Sequence, residues 1–171
     1  MQVKGRVLSV ASECVPFVKT GGLADVVGAL PAALAPFGWQ MRVMLPGYRA
    51  LRQRAADWAE VWYEGNLWGG EGRVLSGNLD GIDLMMLDAP HLYDRDGGPY
   101  GWHSGSGGDY WDNPQRFAAL SWVAAKVARS SVISARSVAM RAWASAEVIR
   151  WERVRRTTPA RPRGAPAGPD V

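Results

Sequence analysis

The sequence predicts an α/β fold built on parallel strands. Three observations carry that prediction: an apolar run at 6–13 (RVLSVASE), a helix-like stretch at 22–38, and a second apolar run at 40–48 (QMRVMLPGY). Strand, helix and strand in that order make a βαβ unit, which closes right-handed in nearly all known cases. At 171 residues, 47% apolar and 21% charged, the chain has a globular composition and enough length for one sizeable core.

RVLSVASE lacks strict alternation, as a buried parallel strand does. Ser9, Ser12 and Glu13 break it too early for a signal peptide, and no uninterrupted apolar run approaches membrane-spanning length. A single cysteine, Cys14, excludes an internal disulfide framework and fits a reducing compartment. The expected location is therefore the cytoplasm.

In GLADVVGALPAALAPFG, helical spacing of Leu23, Val26, Val27, Leu30 and Leu34 predicts the buried face. Pro31 predicts a kink, Pro36 a stop, and Gly38 a C-terminal cap. Pro46-Gly47 ends the second strand. VWYEGNLW, RVLSGNL and IDLMMLD, around 61–88, predict three short strands with glycine turns. Either they form an antiparallel excursion, or two pair and the third returns to the main sheet.

Residues 90–111 make a loop rich in glycine and aromatics, long enough to be functional or disordered. Asn113 suits a helix N-cap and Pro114 the first helical position. The helix RFAALSWVAAKVA then buries Phe117, Leu120 and Val123/Ala124.

The formal net charge of +4 divides unevenly. Residues 1–128 carry 11 Lys+Arg against 13 Asp+Glu, whereas residues 129–171 carry nine Arg, no Lys and three acids. This composition break sets two regions, an ordered domain at 1–128 and an atypical Arg/Ala/Pro-rich tail at 129–171. The tail opens with a loosely amphipathic basic stretch and ends in TTPARPRGAPAGPDV, a composition that stays disordered.

Lys19-Thr20-Gly21-Gly22 lies between the first strand and the first helix. Such a loop presents free amides and the positive end of a helix dipole, glycine lets a phosphate approach, and Lys19 adds a point charge. Ligands also bind at this edge of open α/β sheets. The loop matches neither the P-loop nor the dinucleotide-binding pattern, so physics alone leaves a structural turn and a phosphate site equally open. His91 and His103 stand twelve residues apart without helical spacing and read as surface histidines.

SECVPFVKTGGLADVVGALPAAL resembles the N-terminal signature of the bacterial glycogen synthase and plant starch synthase family. RVMLPGY at 42–48, YDRDGGPYG at 93–101 and DNPQRFAALSWVAA at 112–125 follow in the family's order, so the resemblance covers roughly residues 6–128. It implies the Rossmann-like N-terminal half of a two-domain GT-B glycosyltransferase. It also implies transfer of glucose from ADP-glucose to the non-reducing end of an α-1,4-glucan with retention, without metal or cofactor. Lys19, Gly21 and Gly22 match the family positions that contact ADP-glucose, where they would stabilise charge on departing ADP. Asp25, Asp112 and Asn113 fall in matched motifs as sugar or glucan contacts. An ordinary N-terminal helix acid and a helix cap remain open for them.

After VAAKVA the resemblance ends: the family's His-Ala-His-Asp-Trp motif is absent, since no histidine follows His103. The tail's Arg, Ala, Pro and Gly are what a shifted frame of a GC-rich gene supplies; a genuine extension is the alternative. The chain alone is expected to be inactive. Two other functions stay open, a non-catalytic glucan- or nucleotide-binding fragment and a polyanion-binding basic tail. No specific nucleic-acid or membrane partner is expected.

Overall fold

A computed structural model describes residues 3–101 and 108–129. His103 and the basic tail from residue 130 lie outside the described residues. Five strands form one mixed sheet in the order β1-β2-β5-β4-β3. β1 (Gly5–Val10) pairs parallel to β2 (Trp39–Pro46), and β2 pairs parallel to β5 (Ile82–Asp88). β4 (Gly72–Leu79) runs antiparallel to β5, and β3 (Ala59–Glu64) antiparallel to β4. Of the two arrangements left open by the sequence, the second holds: two strands pair, and the third returns to the parallel sheet.

The β4–β5 connection is Asp80-Gly81, with φ of 51° and 82°. Positive φ at both central residues is the hairpin turn that Asp-Gly favours, since its twist matches that of the flanking strands.

The sheet buries both faces by alternation. Val43, Leu45, Leu84 and Met86 point to one side, where they meet Val27 of α1 (Gly22–Leu34) and Leu51 of α2 (Arg49–Arg54). Met44, Met85 and Leu87 point to the other, under Ala119, Leu120, Val123, Ala124 and Val127 of α4 (Asn113–Arg129). A short helix, α3 (Pro90–Tyr93), opens the long loop. β1, expected to be buried, is only half-buried because β2 is its single neighbour among the described residues.

The helix phases need correction. In α1, Ala24 and Val27 are buried, while Leu23 is 50% and Val26 59% exposed. Close approach decides this: a Cβ on Gly28 would lie 2.5 Å from Val15, so the helix packs through its small residues. Pro31 is accommodated inside α1, and Gly38 caps the following 3-10 turn in the left-handed region, φ 83°. In α4 the helix starts at Asn113 itself, one residue earlier than expected, and the Arg116 amide donates to Asp112 O at 3.0 Å. Phe117 is half-buried, and Arg116 takes a core position instead.

Candidate functional site

Three loops gather at the carboxyl ends of the parallel strands. Residues 11–21 follow β1, Gly47 and Tyr48 follow β2, and residues 89–101 follow β5. Between them opens a cleft of about 360 Å³ whose walls include Phe17, Val18, Tyr48, Arg49, Arg95 and Gly97. Ligands of open α/β sheets bind at this edge.

Lys19 is exposed, and its ammonium contacts both carboxylate oxygens of Asp25 at 2.8 Å. Asp25 thus fixes Lys19 from the first turn of α1. Gly21 occupies the N-cap of α1 in an extended conformation, φ −151°, so no side chain covers the helix end. A Cβ at Gly21 or Gly22 would meet nothing within 4 Å. Neither packing nor φ at Gly21 requires glycine; the vacant space suits close approach by a group from outside the chain.

Beneath this loop lies a residue the sequence did not single out. Glu13, 3% exposed, accepts from the Thr20 amide at 2.5 Å, the Thr20 hydroxyl at 2.7 Å and the Gly21 amide at 3.2 Å. It also accepts from the Tyr100 hydroxyl at 2.5 Å. Burial pushes the Glu13 carboxyl up, but these donors outweigh it and hold it below the usual range. Partners seven and 87 residues away leave no local signal in a sequence.

Asp112 and Asn113 are placed differently. Asp112 is buried in a two-pronged pair with the Arg95 guanidinium, one contact at 2.7 Å. Asn113 donates to Tyr100 O at 2.7 Å and accepts from Arg116 at 2.6 Å. Arg116, 1% exposed, also donates to Leu92 O at 2.8 Å and Pro99 O at 2.9 Å. Its guanidinium sits 4.9 Å from the Tyr110 ring centroid, and burial lowers its pKa. These groups fasten residues 92–100 to α4, so the structure brings Lys19, Gly21, Gly22 and Asp25 together and sets Asp112 and Asn113 in the scaffold behind Tyr100.

His91 donates from Nε2 to Leu67 O at 2.8 Å, and a Cβ on Gly70 would collide with its ring. It braces the β3–β4 turn. Cys14 is fully buried, and burial pushes its thiol up. Among the described residues no cluster of three or more His, Cys, Asp or Glu is placed to hold a metal ion, and no helix is long and apolar enough to cross a membrane.

An α/β sheet of this order with its loops gathered at one edge has the fold of the N-terminal part of a GT-B glycosyltransferase. The catalytic domain of Starch Synthase IV from Arabidopsis thaliana, solved with ADP and acarbose, shares that fold with a TM-score of 0.50. It is 24% identical, over 70% of this chain and 24% of that one. The family described as starch synthase catalytic domain matches residues 6–156, and the chain belongs to it. That match runs past residue 128 into the basic segment. The glycogen synthase of Cereibacter sphaeroides is 62% identical over 129 residues, covering 75% of this chain and 26% of the relative. That of Paracoccus denitrificans is 57% identical over 127 residues, covering 74% and 27%. The chain spans about a quarter of the length of the curated relatives it matches.

Proposed function

We propose that this chain is the N-terminal part of a glycogen synthase that takes glucose from ADP-glucose and adds it to the non-reducing end of an α-1,4-glucan, with retention. One observation carries this most directly. The Lys19–Gly22 loop stands at the carboxyl edge of the parallel strands, with two glycines whose side-chain positions face open space next to the α1 N-terminus and Lys19. In a chain 62% identical to a glycogen synthase over 129 residues, the group with that chemistry is the diphosphate of the sugar donor. Lys19 and the first-turn amides of α1 would stabilise negative charge as ADP departs, an electrostatic role without proton transfer. Asp25 would hold the lysine in register until the donor takes its place. The proposed setting is the cytoplasm.

Stabilising a transition state needs groups on both sides of the reacting centre. A chain a quarter of its relatives' length supplies one side, so the 171-residue polypeptide alone is expected to bind the donor weakly and transfer no glucose.

The test is a titration of the chain with ADP-glucose, followed through the first-turn amide signals of Gly22, Leu23 and Ala24, beside glucose incorporation into glycogen. The expected result is movement of those amides, lost in Lys19→Ala, and no incorporation by either protein. Unmoved amides in the wild type would remove the donor-site assignment. Incorporation at a full-length relative's rate would overturn the claim that one side of the cleft is insufficient.

A further inference from the structure

Building on the function proposed above, we infer that Glu13 is the positioning residue of the Lys19–Gly22 loop, holding it from beneath and tying it to the 94–101 loop through Tyr100. Four donors converge on this one buried carboxylate: the Thr20 amide, the Thr20 hydroxyl, the Gly21 amide and the Tyr100 hydroxyl. Tyr100 Oη also lies 2.6 Å from Ser12 Oγ, so the strut is anchored at the end of the segment leaving β1.

The directions of these contacts separate a strut from a plug. A carboxylate imitating the ligand would sit on the open side of the glycines. Glu13 is 3% exposed, whereas the positions a Cβ would take on Gly21 and Gly22 meet, among the described residues, nothing within 4 Å beyond their own chain neighbours and the α1 backbone. The Gly21 amide therefore belongs to the scaffold, and Lys19 with the first-turn amides of α1 remains for an incoming anion. A loop fixed in this way loses little freedom when it binds, and fixed geometry is what a supporting residue contributes.

Tyr100 gives the strut a second consequence. Its ring packs on Phe117 of α4, with centroids 5.7 Å apart, and its carbonyl accepts from Asn113. Both walls of the cleft are thereby referred to one carboxylate. The bonds of the Tyr100 hydroxyl with Glu13 and Ser12 would then couple occupancy of one wall to order in the other.

The test uses the full 171-residue chain as wild type, Glu13→Gln, Glu13→Ala and Tyr100→Phe, with ADP as probe. Glutamine keeps an acceptor for the amides, and the hydroxyls of Thr20 and Tyr100 can accept from its NH₂; alanine keeps nothing. Hydrogen exchange at Thr20 and Gly21 and ADP affinity are read together, with β2 and β5 amides reporting whether each variant is folded. Glu13→Ala is expected to lose protection at Thr20 and Gly21 and to weaken ADP about tenfold, with Glu13→Gln retaining most of both. Tyr100→Phe should show a smaller loss of both. Tighter ADP binding by Glu13→Ala would mean a plug, and unchanged protection in Glu13→Ala or, if that variant fails to fold, in Tyr100→Phe would overturn the strut. If wild type binds no ADP, the donor-site assignment fails while the exchange data still decide the role of Glu13.

Discussion

The Lys19–Asp25 ion pair faces outward, whereas the charged groups around Arg116 turn inward. Both segments lie in motifs that resemble the same family, and both reach the same edge of the sheet. Near Lys19 a single ion pair is exposed, and the glycine positions face open space. Near Arg116, Asp112 is paired with Arg95, Asn113 bonds on both sides of its amide, and the arginine has acceptors in Leu92, Pro99 and Asn113. The difference teaches how a shared motif divides its work. Polar groups whose bonds are complete within the chain build the site, and those facing outward use it.

The contrast is broken most severely at Arg116. Arg116→Met keeps much of the bulk but strips the donors from buried carbonyls, and should lower unfolding stability by about 3 kcal/mol. A denaturant titration measures it; a loss no larger than that of an exposed arginine would mean the loop is held elsewhere.

Asp112→Asn comes next, at about 2 kcal/mol for a buried charge-assisted contact. The hydrogen bond from Arg95 holds the Asp112 carboxyl below the usual Asp range, against the effect of burial. Its contribution is therefore fully present above the unfolded value, about pH 4. It disappears as pH falls through the depressed folded value. Stability against pH should be flatter in the variant across that acid window.

Lys19→Ala should move stability by less than about 0.5 kcal/mol, because exposed ion pairs contribute little. ADP-glucose binding should nevertheless be lost. A large fall in thermal midpoint would place Lys19 with the scaffold. Gly22→Ala sharpens the comparison furthest. Alanine meets no neighbour and favours helix, so stability should rise by about 0.5 kcal/mol while ADP-glucose binding weakens. Unchanged binding would leave the glycine without a reason.

Much of the fold was legible because its signals are local. The apolar runs at 6–10, 40–46 and 82–88 became parallel strands, and one of the expected glycine turns is the Asp80-Gly81 hairpin. The phase of α1 was ambiguous because apolar residues surround that helix. Packing through Ala24 and Gly28 won over the bulkier Leu23 and Val26, whose size the periodicity had favoured. Lys19, Gly21 and Gly22 were visible as a loop of unusual chemistry. Glu13 and Arg116 were not, since a buried charge shows itself only when distant partners arrive, and an isolated Arg or Glu reads as surface.

The strand order also separates what this chain can assemble early from what must wait. β3, β4 and β5 are consecutive and antiparallel, joined by short turns, so their pairing needs only nearby residues. The β2–β5 pairing joins Val43 to Leu84 and so closes a long loop, at an entropic cost that slows it. The meander is therefore the natural nucleus. The edge that gathers the Lys19 loop, the cleft and Tyr100 needs the parallel pairing that loop closure makes the slower step, so a competent site is expected only once folding is complete.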